Sequence, residues 1–151
     1  MNDFYVALTA EGTANGRTNT PADFSVPVPW LATLKGRYEF ALVEISLECD
    51  FLPKGDRLYL CCDAAEATFI NARRIQLLRN LETRGRYKKY LTETYQDARF
   101  VPILPWEREY FRFYCLGEDL NPVTFASGTL HCVLRVRKTP DRLPTTTKNS
   151  Y

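Results

Sequence analysis

The sequence has a single histidine, His131, and none of its five cysteines forms a C-x-x-C pair. Zinc or iron centres need several imidazoles, thiolates or carboxylates converging on one point, so His-rich metal sites such as those of cupins are excluded. No G-x-G-x-x-G, Walker loop or G-x-S-x-G occurs, which removes the usual phosphate cradles and the strained nucleophile turn. No apolar run approaches the ~18 residues a membrane helix needs. The opening Met1-Asn2-Asp3-Phe4 lacks a basic region followed by an apolar stretch, so no signal peptide is expected. A net charge of +2 is too small to demand a polyanionic partner.

What is present is an ordinary globular composition with an aromatic excess. The 151 residues are 45% hydrophobic and 25% charged, enough for one domain with a real core. Aromatics reach 13%, which suits sheets whose facing sides need bulky side chains. The odd cysteine count suggests reduced thiols, made in cytosol or nucleus. Cys61 and Cys62 are adjacent, so on a strand they point to opposite faces.

Strand signals recur along the chain. Residues 34–47 are the clearest: Tyr38 to Ile45 reads as a long interior strand opened by Gly36, with Tyr38, Phe40, Leu42 and either Glu44 or its neighbours on one face and Glu39, Ala41, Val43 and Ile45 on the other. Asp3–Leu8 alternates, with Phe4, Val6 and Leu8 on one side. Residues 11–21 carry a loop composition. Phe24–Val28 alternates but contains Pro27, so this strand should lie at an edge or be short. Trp30, Leu31 and Leu34 suggest a brief turn under the sheet. Arg57–Cys62 reads as a strand, Ala64–Ala67 as a single helical turn, Ile75–Leu81 as a strand and 82–98 as a long loop. Phe100–Leu104 is a proline-interrupted strand, and Tyr110–Leu116 a half-buried one with Phe111 and Phe113 inward. Thr129–Lys138 closes the series, with Leu130, Cys132, Leu134 and Val136 inward. About eight strands separated by turn signals define an all-β chain of antiparallel strands, in a sandwich or jelly roll. Residues 1–138 form the domain, and the Pro/Thr-rich 139–151 a flexible tail.

Chemistry is sparse. His131 lies on the polar side of its strand, and its neighbour Cys132 points the other way, so they form no nucleophile pair. Glu107 and Glu109 share a face but sit among arginines as solvated charges. No catalytic, cofactor or metal residue is assigned, and the chain is not read as an enzyme. One asymmetry stands out: residues 71–90 hold seven Arg and Lys against Glu82 alone, a local +6. Within it Arg84, Arg86, Tyr87, Lys88, Lys89 and Tyr90 interleave cations with tyrosines, which reads first as a solvated loop, then as a protein interface and, more weakly, as a nucleic-acid contact.

Taken together, these pieces resemble a known family. Phe4-Tyr5-Val6-x-Leu8, Asn19-Thr20, Phe24 and Leu34-x-Gly36-x-Tyr38-Glu39-x-Ala41-Leu42-x-Glu44-Ile45 begin the match. Leu58-Tyr59-x-x-Cys62-Asp63, Leu77-Leu78-Arg79, Phe100-Val101-Pro102-Ile103 and Phe111-x-Phe113 continue it. Phe125-x-x-Gly128, Leu130, Val133-Leu134 and Arg135-x-Arg137 complete it. In order and spacing, from Phe4 to about Lys138, the chain resembles the small single jelly-roll proteins of Polinton/Maverick elements and adintoviruses, the minor capsid or penton component. The family usually has Trp where this chain has Tyr38. It commonly places an aromatic and a proline where this chain has Ser46-Leu47-Glu48, so the resemblance carries no expectation for the following loop.

The resemblance implies a single jelly roll that forms homopentamers at the five-fold vertices of a capsid. The implied partners are further copies of itself and a hexon-like major capsid protein, with the virion as the place of action after synthesis in host cytoplasm or nucleus. Long loops at 9–21, 46–56 and 82–98 are the natural contacts. A jelly-roll binding module, trimeric and directed at a receptor or glycan, is the alternative, and nucleic-acid contact through 71–90 a third.

Overall fold

The computed structural model of the chain describes residues 3–14, 16–49, 56–83, 90–105, 107–125 and 127–140. In chain order the strands are β1 (Asp3–Thr9), β2 (Thr13–Ala14), β3 (Arg17–Thr18), β4 (Asp23–Pro27), β5 (Tyr38–Cys49), β6 (Arg57–Cys62), β7 (Thr68–Ile70), β8 (Arg73–Ile75), β9 (Leu77–Glu82), β10 (Tyr90–Thr94), β11 (Val101–Pro102), β12 (Tyr110–Leu116) and β13 (Gly128–Lys138). A 3-10 turn, Pro29–Thr33, joins β4 to β5.

Two antiparallel sheets face each other. The first runs β1-β13-β5-β10, with β11 also on β5; the second runs β4-β12-β6-β9. The pairings are nested: β1 with β13, β4 with β12, β5 with β10 and β6 with β9. The chain is thus one long antiparallel hairpin rolled on itself, the eight-strand jelly-roll order. Between the sheets lies a core of aromatic and aliphatic side chains. Phe24 stacks on Phe113 at 5.1 Å, and Phe111 meets Phe40 and Trp30 edge-on at 5.7 and 5.5 Å.

Period-two alternation predicts β1, β4, β12 and β13 well because one side of each strand faces this core. β4 lies at a sheet edge, where Pro27 costs no internal ladder bond. The loop expected at 11–21 contains the small β2–β3 ladder, and Asn19 ties that loop to β4. Its amide donates to the carbonyls of Glu11 and Ser25 at 2.9 and 3.1 Å and accepts from the Ser25 N–H at 2.9 Å.

Five expectations need correction. The face assignment along β5 changes partway, because the register with β13 shifts between Val133 and Leu134: Glu44 faces Val133 while Leu42 faces Leu134. Val43 is the extra residue of a β-bulge, so Ile45, Leu47 and Cys49 join Phe40 and Leu42 inward, and Glu44 turns outward. The outer side of this strand is also covered by the chain itself. Ala41 is fully buried; Glu39 accepts from Arg137 at 2.6 Å, and the Arg137 guanidinium lies 3.5 Å from the centre of the Phe100 ring.

Ala64–Ala67 is not helical. Ala65 instead bridges to Ile103, and the Leu104 N–H donates to the Ala64 carbonyl at 2.8 Å. The strand expected over Ile75–Leu81 is two strands, β8 and β9, and a hairpin, β7–β8, precedes it. Finally, β10 lies inside the segment read as a loop. It is an edge strand whose one fully buried side chain is Leu91, too little apolar pattern to signal itself. The strand expected at Phe100–Leu104 shrinks to β11, which follows β10 along the same side of β5.

Candidate functional site

The basic stretch does not act as one surface in the described residues. Arg84, Arg86, Tyr87, Lys88 and Lys89 lie outside them. Tyr90 opens β10, opposite Glu48, and is 58% exposed. Arg79 is spent internally: it donates to the Asp97 carbonyl at 3.0 Å, pairs with its carboxylate at 3.3 Å and stacks over Tyr95 at 3.8 Å. It joins β9 of the second sheet to the segment following β10 of the first, closing the side of the sandwich.

Arg73 and Arg74 belong to the β7–β8 hairpin. Its two-residue turn, Asn71-Ala72, has φ of 49° and 66°, the left-handed pair that a tight hairpin twist requires. Cross-strand pairing sorts its side chains: Thr68 faces Ile75, Phe69 faces Arg74 and Ile70 faces Arg73. Ile70 and Ile75 point down into a second apolar cluster with Tyr59, Cys61, Leu116 and Leu120, on the outer side of the second sheet. Phe69 and Arg74 therefore point away from the protein. Phe69 is 71% exposed, the most exposed large hydrophobic side chain among the described residues. Gln76 anchors the hairpin base by donating to the carbonyls of Asp63 and Ala65 at 3.0 and 3.2 Å. Sequence reading missed this feature because Asn-Ala is a weaker hairpin signal than Asn-Gly; the asparagine between Phe-Ile and Arg-Arg was the available clue.

A hollow of about 750 Å³ opens between the 3-10 turn and residues 103–105 and 107–109. Leu31, Leu34, Tyr38, Ile103 and Leu104 supply apolar lining, and Glu107 and Glu109 expose carboxylates there. Arg108, also on the lining, pairs with Asp63 at 2.9 Å. Asp63 in turn accepts from the Arg112 N–H, and Arg112 clamps Asp23 with two bonds of 3.0 and 2.8 Å. That clamp holds the Asp23 carboxyl below the ordinary carboxylate range.

The thiols are arranged for packing. All five cysteines are buried, and none is in a disulfide. Cys61 and Cys62 do point opposite ways, one into the outer cluster and one into the main core. Burial pushes Cys61 and Cys132 up to about 12, and raises Cys62 and Cys115 as well, so none of these four is a thiolate near neutrality. His131 faces outward, with Nδ1 3.1 Å from the Thr9 hydroxyl, while Cys132 points inward. Among the described residues no group of three or more His, Cys, Asp or Glu is placed to hold a metal ion.

The strand order defines an all-β protein of jelly-roll type, with two conspicuous surface features: an exposed aromatic knob and an apolar hollow with acidic side chains. No protein-family model matches the chain, and no curated protein sequence matches it significantly.

Proposed function

We propose that the protein is a structural capsid component, a penton or minor capsid protein that forms homopentamers at five-fold vertices and abuts a hexon-like major capsid protein. The observation that carries this reading is the nested pairing of eight strands into two facing antiparallel sheets, an order that recurs in viral capsid proteins. It is the fold that the resemblance to Polinton/Maverick and adintovirus proteins implies. Open sheet edges at β1 and β10 in one sheet and at β4 and β9 in the other also support it, since a closed ring of copies shields such edges from uncontrolled pairing.

The test is the mass of the purified chain in solution. Light scattering should return five times the 17.5 kDa protomer, and the protein should copurify with particles. A monomer at every concentration, absent from particles, ends the reading.

A further inference from the structure

We propose that the β7–β8 hairpin of one copy docks into the hollow of the next, with Phe69 entering its apolar part and Arg74 meeting Glu107 and Glu109. This rests on the vertex reading and says which surfaces would form its subunit contact.

Three observations converge on it. First, the hairpin is built to present its outer pair. Its inner side is fixed on the Tyr59–Cys61–Leu116–Leu120 cluster and its tip is held by a tight left-handed turn, so little ordering entropy remains to be lost on docking. Phenylalanine and arginine are both among the residues enriched at protein interfaces.

Second, the charges are complementary and unspent. Arg74, Glu107 and Glu109 have no ion-pair partner among the described residues, whereas Arg108 is already matched by Asp63. The hollow thus presents two carboxylates against the remaining Arg37. An exposed Phe has no polar demand of its own, and the lining of Leu31, Leu34, Ile103 and Leu104 offers it a matching environment.

Third, the bases of knob and hollow are joined. The hairpin springs from residues 64–67 and the hollow is walled by 103–105. These segments are stitched together by the Ala65–Ile103 bridge and by the bonds from the Leu104 and Glu66 N–H groups to the Ala64 and Pro102 carbonyls, 2.8 and 3.0 Å long. The hairpin rests on the outer side of the second sheet, while the hollow adjoins the start of β5 in the first. The contact is accordingly heterologous, the type from which rings are made.

The experiment uses the full chain and light scattering, with urea unfolding as a check on folding. Phe69→Ala and Arg74→Glu, both at exposed positions, should leave unfolding unchanged and reduce the mass to one protomer where the wild type is oligomeric. Glu107→Arg with Glu109→Arg should do the same. Combining those two changes with Arg74→Glu in one chain restores opposite charges across the contact and should restore the oligomer. An oligomer that survives both Phe69→Ala and the charge reversals overturns the pairing and leaves the vertex reading standing. Dissociation by Phe69→Ala without rescue in the combined chain also overturns it, by placing the hairpin against another surface. A wild-type monomer removes the vertex reading itself, and the pairing with it.

Discussion

Gly128 and Glu48 approach so closely across the β13–β5 ladder that a Cβ on residue 128 would overlap the Glu48 carbonyl oxygen and lie 2.8 Å from the Cys49 Cα. The φ of Gly128 is 140°, a backbone region open essentially to glycine alone. Both obstacles are backbone atoms at the start of the β13–β5 ladder and cannot swing aside. Gly128→Ala should cost at least about 3 kcal/mol, from strain plus disruption of the ladder start. Urea unfolding of the two proteins measures it, and equal midpoints would contradict the packing described.

Ala72 offers the opposite case. It holds a φ of 66° at the hairpin turn, where an L-residue pays about 1–2 kcal/mol and glycine does not. Glycine also loses more chain entropy on folding, which offsets part of the gain. Ala72→Gly should therefore stabilise the protein by about 0.5–1 kcal/mol, read as a higher urea midpoint. Asn71→Val, a β-branched residue forced to positive φ, should shift the midpoint the other way.

The Asp23–Arg112 clamp predicts a pH dependence. Its hydrogen bonds to Arg112 lower the Asp23 carboxyl below its ordinary value, so the folded state binds that proton less readily than the unfolded chain. The stabilisation is complete above the unfolded carboxyl pKa of about 3.9 and is lost as pH falls through the lower folded value. Asp23→Asn should be less stable than the wild type at pH 7, with the difference narrowing below about pH 4. A difference that stayed constant down to strong acid would show that the charge is not its source.

The five thiols should be silent until the protein opens. Each is buried, and burial raises the four that shift away from the reactive thiolate form. A thiol reagent at pH 8 should modify none of them in the native protein and all five in denaturant. Fast labelling of Cys61 alone would indicate that the hairpin lifts off the outer cluster.

Much of this was legible in the chain before any coordinates. Core-facing alternation located β1, β4, β12 and β13, because one buried side and one wet side leave a period of two in the residues themselves. Pro27 announced an edge, and adjacent Cys61 and Cys62 announced opposite faces. The local +6 at 71–90 was equally visible, but its fate was not: Arg79 pairs with Asp97, 18 residues away, and no local pattern encodes that partner.

What the tertiary structure decided were the features without a local signature. β10 has a single fully buried side chain and exists because β5 supplies its ladder, not because its own residues demand a strand. The bulge at Val43 depends on how β13 registers against β5, so the faces of the longest strand could not be assigned from its alternation alone. The outward pointing of Phe69 follows from Ile70 and Ile75 being buried on a sheet formed by distant segments. Residue types and spacings determined which stretches would be strands; pairing between stretches far apart in sequence determined which of their side chains remain free to meet another molecule.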